Sequence, residues 1–141
     1  MKVITKSEKE TFALAKKIGS RAKGGEVYAL WGNLGAGKTV FARGFAAGLG
    51  ITRNINSPTF VLMKVYPVKK HKTIKEFCHI DAYRLANARD LQAIGASDYL
   101  KNKNSVCLVE WPERIKKILS PKAIAIKIKH LKEDSREIEF N

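Results

Sequence analysis

The chain has 141 residues, and 45% of them are hydrophobic, which is enough for the core of one domain and too little for two domains of ordinary size. It carries 27 basic and 13 acidic side chains, so its net charge is +14, a bias that favours a nucleic-acid partner, an acidic protein partner or simply a lysine-rich proteome. No apolar run has the length of a signal-peptide core or of a membrane span, so we expect a soluble, cytoplasmic protein without a membrane partner.

The first predicted element is a helix. Ser7 and Glu10 have the spacing of a capping box, and apolar side chains follow at helical intervals until Gly19, a natural stop. A turn at residues 23–25 then leads into a short, β-prone apolar run, Val27–Trp31, which we predict to be a strand.

Directly after this strand comes the glycine-rich loop, residues 32–39, whose sequence GNLGAGKT fits the pattern G-x-x-x-x-G-K-[ST] at every fixed position. Its glycines let the backbone curl with positive φ and bring N–H groups close to phosphate oxygens. Lys38 would place a charge on the β- and γ-phosphates, and the hydroxyl of Thr39 is suited to the magnesium ion that bridges them. Because a strand precedes the loop and a predicted helix, Thr39–Leu49, follows it, we interpret the loop as a phosphate-binding loop rather than a flexible glycine turn.

The next segment is irregular and polar, and it leads into a predicted strand over Thr59–Tyr66. Thr59 is a candidate sensor of the γ-phosphate, acting through magnesium as loop threonines do in nucleotide switches; a Ser-Pro turn that begins a strand is the favoured alternative. A second strand over Ile74–Ile80 ends at Asp81. The connection between the two strands is too short for a crossover helix, so they should form an antiparallel hairpin in a mixed sheet.

Helical spacing over Ala86–Ile94 predicts a helix that ends at Gly95, and a short second helix is expected near residues 98–100. The most apolar predicted strand, Val106–Glu110, ends in an acid, which is the form of a Walker B strand whose carboxylate orients magnesium. A strand whose last residue simply faces solvent is the alternative.

After Pro112 we expect a short helix that reaches Leu119. Apolar and basic residues then alternate over Ala123–Lys129, and Glu137–Phe140 is expected to pair with that segment, both as peripheral antiparallel strands. The two cysteines, Cys78 and Cys107, lie inside apolar strands without metal-ligand spacing, which predicts small buried hydrophobic residues.

Two acids, Asp81 and Glu110, end predicted strands, and ligands of open α/β sheets bind outside the carboxyl ends of the strands. If Glu110 serves magnesium, Asp81 is the candidate for positioning the water that attacks the γ-phosphate. Arg84 could stabilise charge on that phosphate, although pairing with an acid is the favoured interpretation. A guanine-specific protein would carry N-K-x-D after a late strand, whereas residues 102–105 read NKNS and precede their strand, so we expect ATP.

Four motifs together resemble the bacterial TsaE (YjeE) family, the ATPase component of tRNA threonylcarbamoyladenosine biosynthesis. They are the glycine-rich loop, Ser57-Pro58-Thr59-Phe60, His79-Ile80-Asp81-Ala82-Tyr83-Arg84 and Val109-Glu110-Trp111-Pro112-Glu113. The resemblance extends from about Ser7 to Phe140, and it implies weak ATPase activity that matters only with two partners, TsaB and TsaD, which transfer the threonylcarbamoyl group to tRNA. The family's loop commonly has an acid where this chain has Asn33.

The resemblance also implies roles for individual residues. Lys38 and Thr39 would hold phosphates and magnesium, Glu110 would be the second magnesium contact, Asp81 would be needed for hydrolysis, and Thr59 would lie in a switch loop. The residues expected to bind nucleotide are Thr11, Asn33, Leu34, Gly35, Ala36, Gly37, Lys38, Thr39, Val40, Asp81, Glu110 and Arg136. The expected catalytic residues are Lys38, Thr59 and Asp81, and the expected metal ligands are Thr39 and Glu110.

We therefore expect residues 1–141 to form a single α/β domain of the P-loop NTPase class, with a parallel core, an antiparallel hairpin and edge strands flanked by helices. Its expected function is slow, magnesium-dependent ATP hydrolysis that is required for threonylcarbamoyladenosine modification of tRNA. It would act with TsaB and TsaD and contact tRNA indirectly, through that complex. One alternative is a small-molecule kinase, which would need an acceptor pocket and a lid. The other is a nucleotide-gated module that binds RNA or protein and does not need to hydrolyse ATP.

Overall fold

The computed structural model describes residues 1–33, 35–53, 55, 62–84 and 88–140. In chain order they form β1 (Lys2–Thr5), α1 (Glu8–Ser20), β2 (Val27–Trp31), α2 (Lys38–Gly48), β3 (Met63–Pro67), β4 (Glu76–Asp81), α3 (Ala88–Ala93), α4 (Ser97–Leu100), β5 (Ser105–Glu110), a 3-10 helix (Pro112–Ile115), β6 (Ile124–His130) and β7 (Arg136–Phe140). The seven strands make one mixed sheet in the order β1-β7-β6-β2-β5-β4-β3. Within the described ranges, no helix is both long enough and apolar enough to cross a membrane.

The centre of the sheet is parallel, with β6, β2, β5 and β4 running in the same direction. All six residues of β5 are buried, because helices cover both faces of the sheet at this strand, and this explains its almost continuous apolar sequence. Leu30 on β2 and Asp81 on β4 are both in register with Glu110 on β5. The carboxyl ends of these three strands therefore meet at one edge, where the glycine-rich loop begins.

One face of the sheet is covered by α1 and α2, whose apolar stripes pack on side chains such as Phe77 and Leu108. The opposite face packs against α3, α4 and the 3-10 helix through a second cluster that includes Cys78 and Cys107. Both cysteines are buried, as predicted. The two helices on the first face lie very close together, since a Cβ on Gly44 would come within 2.4 Å of the carbonyl oxygen of Phe12.

The structure confirms several of the predicted elements. The Ser7 hydroxyl accepts a hydrogen bond from the Glu10 N–H at 3.1 Å, which is one of the two bonds of a capping box, while the Glu10 carboxylate accepts from the Lys6 N–H; α1 ends one residue beyond Gly19. The strand Val27–Trp31 has its predicted bounds. β3 and β4 pair antiparallel, which confirms the hairpin, although β3 begins at Met63 within the described part of the chain.

Other expectations were wrong. β6 is an interior strand that pairs parallel with β2, while its antiparallel pairing with β7 was predicted correctly. The alternation of buried Ile126 and Ile128 with exposed Lys127 and Lys129 reports which face of the strand is covered, and it carries no information on strand direction.

β1 and the segment after β5 also differed from expectation. β1 was not predicted, because four residues at the start of a chain give too short a pattern; it pairs antiparallel with β7 at the sheet edge. The helix expected to reach Leu119 is a single 3-10 turn, Pro112–Ile115, followed by turns. Helix α3 begins at Ala88, and the earlier part of its predicted range lies outside the described residues.

Candidate active site

A cavity of about 320 Å³ lies at the carboxyl edge of the parallel strands, beside the first turn of α2. The glycine-rich loop, the ends of β4 and β5, and single residues of α1 and β7 contribute to its wall. The lining residues are Glu8, Gly35, Gly37, Lys38, Thr39, Val40, Asp81, Tyr83, Arg84, Glu110, Trp111 and Arg136. The cavity therefore joins most of the predicted site residues, which are far apart in the sequence.

The glycine-rich loop has the backbone shape that a phosphate cradle needs. Gly35 and Gly37 have φ values of 77° and 101°, which favour glycine strongly over other residues. Gly37 is the N-cap of α2, so no side chain caps the helix and its first N–H groups remain directed toward the cavity end. These donors, together with the positive end of the helix dipole, favour an anion.

Lys38 is the first residue of α2, and its side chain is only 7% exposed. Its Nζ lies 3.7 Å from the centre of the Trp111 ring and makes no hydrogen bond within the described residues. Burial lowers the pKa of Lys38, while the carboxylates of Glu110, Asp81 and Glu113 act in the opposite direction. An ammonium with three donors, none of them used in a hydrogen bond among the described residues, is well suited to an anionic ligand.

The two strand-end carboxylates lie side by side, since Asp81 and Glu110 are register partners on adjacent parallel strands. Both residues are largely buried and both line the cavity. Asp81 Oδ1 accepts a hydrogen bond from the Tyr83 N–H at 3.0 Å, which closes a tight turn after β4. Glu110 Oε2 lies 2.6 Å from Nε2 of the buried His79.

The chemistry of this donor set fits magnesium. Within the described ranges, no three His, Cys, Asp or Glu side chains are grouped so that they could hold a metal ion by themselves. Magnesium does not need such a group, because it usually binds one or two carboxylates together with waters and the phosphates of a substrate. The Thr39 hydroxyl and the Glu110 carboxylate line the same cavity and would be its protein ligands.

Trp111 follows the strand-end acid and has a left-handed backbone, with φ of 57° and ψ of 51°. This conformation costs a residue with a Cβ about 1–2 kcal/mol, and such strain is concentrated at functional sites. The ring centroids of Trp111 and Tyr83 are 4.8 Å apart, and Lys38 lies over the Trp111 ring. Contacts with the Tyr83 ring and the Lys38 ammonium thus hold the Trp111 ring in the wall of the cavity.

Arg136 reaches the loop from β7. Its Nε donates to the carbonyl oxygen of Ala36 at 2.8 Å and its Nη2 to that of Gly35 at 3.5 Å, while Nη1 donates to the carbonyl oxygens of Glu133 and Ser135. A Cβ built on Gly37 would lie 3.2 Å from Arg136 Nε. The guanidinium therefore supports the loop from one side and also lines the cavity.

The remaining predicted residues are distributed as follows. Thr11 is 2% exposed and does not line this cavity; its hydroxyl lies 2.7 Å from that of Thr5. Asn33 lines a different cavity, next to Trp31 and β6. Ala36 contributes its carbonyl oxygen to Arg136. The predictions for Leu34, Thr59 and the adjoining Ser-Pro turn concern positions outside the described residues.

Sequence reasoning gave no role to Glu8, His79, Tyr83 or Trp111. His79 could have been found from strand alternation, because it precedes Asp81 by two residues and so shares its face of β4. A histidine inside an otherwise apolar strand is an unusual choice that calls for a polar partner. Glu8 and Trp111 offer no such signal, since their contact with the site depends on how α1 and the turn after β5 pack.

Comparison with known proteins gives a consistent result. The family model for "Threonylcarbamoyl adenosine biosynthesis protein TsaE" matches residues 5–138. The tRNA threonylcarbamoyladenosine biosynthesis protein TsaE of Bacillus subtilis is 42% identical over 136 residues, which cover 96% of this chain and 82% of the relative. The protein of the same name from Treponema pallidum is 37% identical over 138 residues, with 98% of each chain covered.

A solved structure extends the likeness to three dimensions. The crystal structure of YdiB from Bacillus subtilis superposes with a TM-score of 0.80 at 38% sequence identity, and the match covers 99% of this chain and 83% of that one. The sheet, the glycine-rich loop and the acids at its edge are thus found in a chain whose sequence matches one family along almost its whole length. This chain belongs to the TsaE family of tRNA threonylcarbamoyladenosine biosynthesis proteins.

Proposed function

We propose that this chain is a P-loop ATPase that binds ATP with magnesium and hydrolyses it slowly, in the service of threonylcarbamoyladenosine modification of tRNA. One observation carries the proposal. The glycine-rich loop, the buried cation of Lys38 and two strand-end carboxylates, Asp81 and Glu110, all border a single cavity. This is the set of groups that phosphoryl chemistry needs, because it depends on positioning and on charge more than on covalent help from the protein.

The loop and Lys38 are assigned to the phosphates. Backbone N–H groups of the loop would surround the α- and β-phosphates, and the Lys38 ammonium would move from the Trp111 ring to the β- and γ-phosphates. Burial strengthens this contact, since charge-assisted hydrogen bonds gain strength where water is excluded.

Thr39 and Glu110 are assigned to magnesium, which would neutralise charge on the phosphate oxygens during transfer. Asp81 is assigned to the attacking water. This assignment is supported by the position of Asp81, which borders the cavity beside Glu110 and accepts a hydrogen bond from the Tyr83 N–H, and in this role its carboxylate would accept a hydrogen bond from that water. Arg84 and Arg136 border the same cavity and would add positive charge near the phosphates.

Membership in the family supports a proposal for the cellular setting. The relatives from Bacillus subtilis and Treponema pallidum are named tRNA threonylcarbamoyladenosine biosynthesis proteins. We infer that this chain acts there in the cytoplasm with TsaB and TsaD, and that it reaches tRNA through that complex. The net charge of +14 suits an acidic protein assembly or RNA held by one.

Reconstitution of tRNA modification tests the proposal. TsaB, TsaD and the threonylcarbamoyl donor system would be combined with this protein, its Lys38→Ala variant or the control Lys101→Ala, which changes an exposed lysine far along the chain. We expect modification with the unaltered protein and the control, and none with Lys38→Ala. Full modification without this protein would refute the tRNA role, and full support from an Asp81→Asn variant would favour a nucleotide-gated binding module that needs no hydrolysis.

A further inference from the structure

Among the described residues, His79 is the one histidine that is fully buried, and it lies next to the candidate site. Its Nε2 lies 2.6 Å from Glu110 Oε2, while its Nδ1 is buried without a hydrogen-bond partner among the described residues. Burying a polar nitrogen without a partner destabilises a fold, and a phenylalanine would fill the same space on Phe77 without that cost. The bond to Glu110 is therefore the feature that a histidine supplies here.

The strands explain why the two side chains meet. His79 and Asp81 are two residues apart on β4, so both project from the face of the sheet that α2 covers, and Asp81 is in register with Glu110 on β5. His79 is in register with Leu108, two residues before Glu110 on β5. It therefore lies deeper in the sheet than Glu110 and does not line the cavity. A Glu110 carboxylate that binds a cation is ionised and only accepts hydrogen bonds, so in that state Nε2 of His79 is the donor.

The bond has a consequence for the carboxylate. The bond from His79 to Oε2 restricts rotation of the Glu110 side chain, and Glu110 also lines the cavity, so Oε1 is the oxygen that would serve a cation there. Carboxylates that bind metals are commonly oriented by such partners, and removal of a partner typically weakens metal binding by about 10- to 100-fold.

We propose that His79 is a positioning residue that holds the Glu110 carboxylate in place for the divalent cation accompanying the nucleotide, an inference that rests on the proposed function. His79 itself touches neither the nucleotide nor the metal. By holding Glu110 in one orientation before the cation binds, His79 lowers the conformational entropy that the side chain loses on binding. Its effect is therefore on metal affinity, and nucleotide binding without metal is unchanged.

Three substitutions separate the hydrogen bond from the shape of the side chain. His79→Phe keeps a ring and loses the donor. His79→Gln carries an amide nitrogen as many bonds from Cβ as Nε2, so it can still donate to Glu110. His79→Asn has the same chemistry but its nitrogen corresponds to Nδ1, which does not reach Glu110, and it serves as the matched control for burying an amide.

The readout is binding of Mn²⁺ by electron paramagnetic resonance, in the presence of a non-hydrolysable ATP analogue. Calorimetry of the same analogue in EDTA measures binding without metal. We expect His79→Phe and His79→Asn to weaken Mn²⁺ binding by about tenfold or more and His79→Gln to keep it close to the unaltered protein. All three should bind the analogue in EDTA normally. Cys78→Ala, a neighbouring change on β4 directed to the opposite face, should reduce stability without changing Mn²⁺ affinity.

Distinct results overturn the two proposals. Unchanged Mn²⁺ affinity in His79→Phe, or equal losses in the Gln and Asn variants, would refute the positioning role alone. Equal losses in His79→Phe and Cys78→Ala would show a general effect of strand stability and would refute it as well. If the unaltered protein binds the analogue no better with Mn²⁺ than in EDTA, both the magnesium role of Glu110 and the inference fail.

Discussion

The Lys38 ammonium rests 3.7 Å from the centre of the Trp111 ring, so the cation assigned to phosphate is held by an aromatic face in this structure. A cation–π contact is worth about 2 kcal/mol or more when it is desolvated. Each hydrogen bond from a charged donor is worth about 1.5–3 kcal/mol, and the β- and γ-phosphates would accept more than one. Phosphate should therefore win the competition, and Trp111 should lose its cation when nucleotide binds.

Tryptophan emission should report this exchange. In a Trp31→Phe background, which leaves Trp111 as the single tryptophan, we expect a saturable change in emission when ATP is added, with a midpoint equal to the calorimetric Kd. The change should vanish with Lys38→Met, because that variant has no ammonium to withdraw from the ring. An unaltered emission spectrum at a nucleotide concentration that calorimetry shows to be saturating would contradict the exchange.

Removal of the Lys38 charge should weaken nucleotide binding directly. Lys38→Ala is expected to lower the affinity for ATP by about 10- to 100-fold, since one or more charge-assisted bonds of about 1.5–3 kcal/mol are lost. Circular dichroism should show an intact fold. The measurement is calorimetry beside Lys101→Ala, and equal affinities in the two variants would remove the assignment of the glycine-rich loop to phosphate.

Glu110→Gln should impair magnesium-dependent hydrolysis more than nucleotide binding. The glutamine oxygen can still accept the bond from His79, but the negative charge next to the metal is lost, whereas the phosphate contacts are kept. Hydrolysis rates measured over a magnesium titration, with binding measured in EDTA, test this expectation. Normal hydrolysis in the variant would move the metal role from Glu110 to Asp81.

Asp81→Asn should bind ATP and fail to turn it over. Its side-chain oxygen can still accept from the Tyr83 N–H, so the turn after β4 is kept while the proton acceptor is lost. General-base catalysis contributes about 10²- to 10⁴-fold, and we expect a loss in turnover of that order with little change in affinity. Rates in a phosphate-release assay and calorimetric affinities are compared; parallel losses in both would assign Asp81 to ground-state binding.

The glycine-rich loop and the strand-end acids could be predicted because each is encoded by a short, continuous stretch of sequence. The loop follows from a contiguous motif between a strand and a helix, and the acids of β4 and β5 follow from apolar runs that end in a carboxylate. Contacts between segments far apart in the chain could not be predicted in this way. The parallel partner of β6 and the contact of Arg136 with Ala36, 100 residues away, depend on how the sheet is ordered, and alternation along one strand does not record that order.

The order of the sheet also has a consequence for synthesis of the protein. β1, the first strand of the chain, pairs with β7, and Arg136 at the start of β7 supports the glycine-rich loop. At about 5–20 residues per second, a ribosome needs roughly 5–20 s to proceed from the loop to that arginine. During this interval the nascent loop has no guanidinium to hold it and β1 has no strand beside it. The candidate site of a newly made molecule is therefore completed only when β7 is in place.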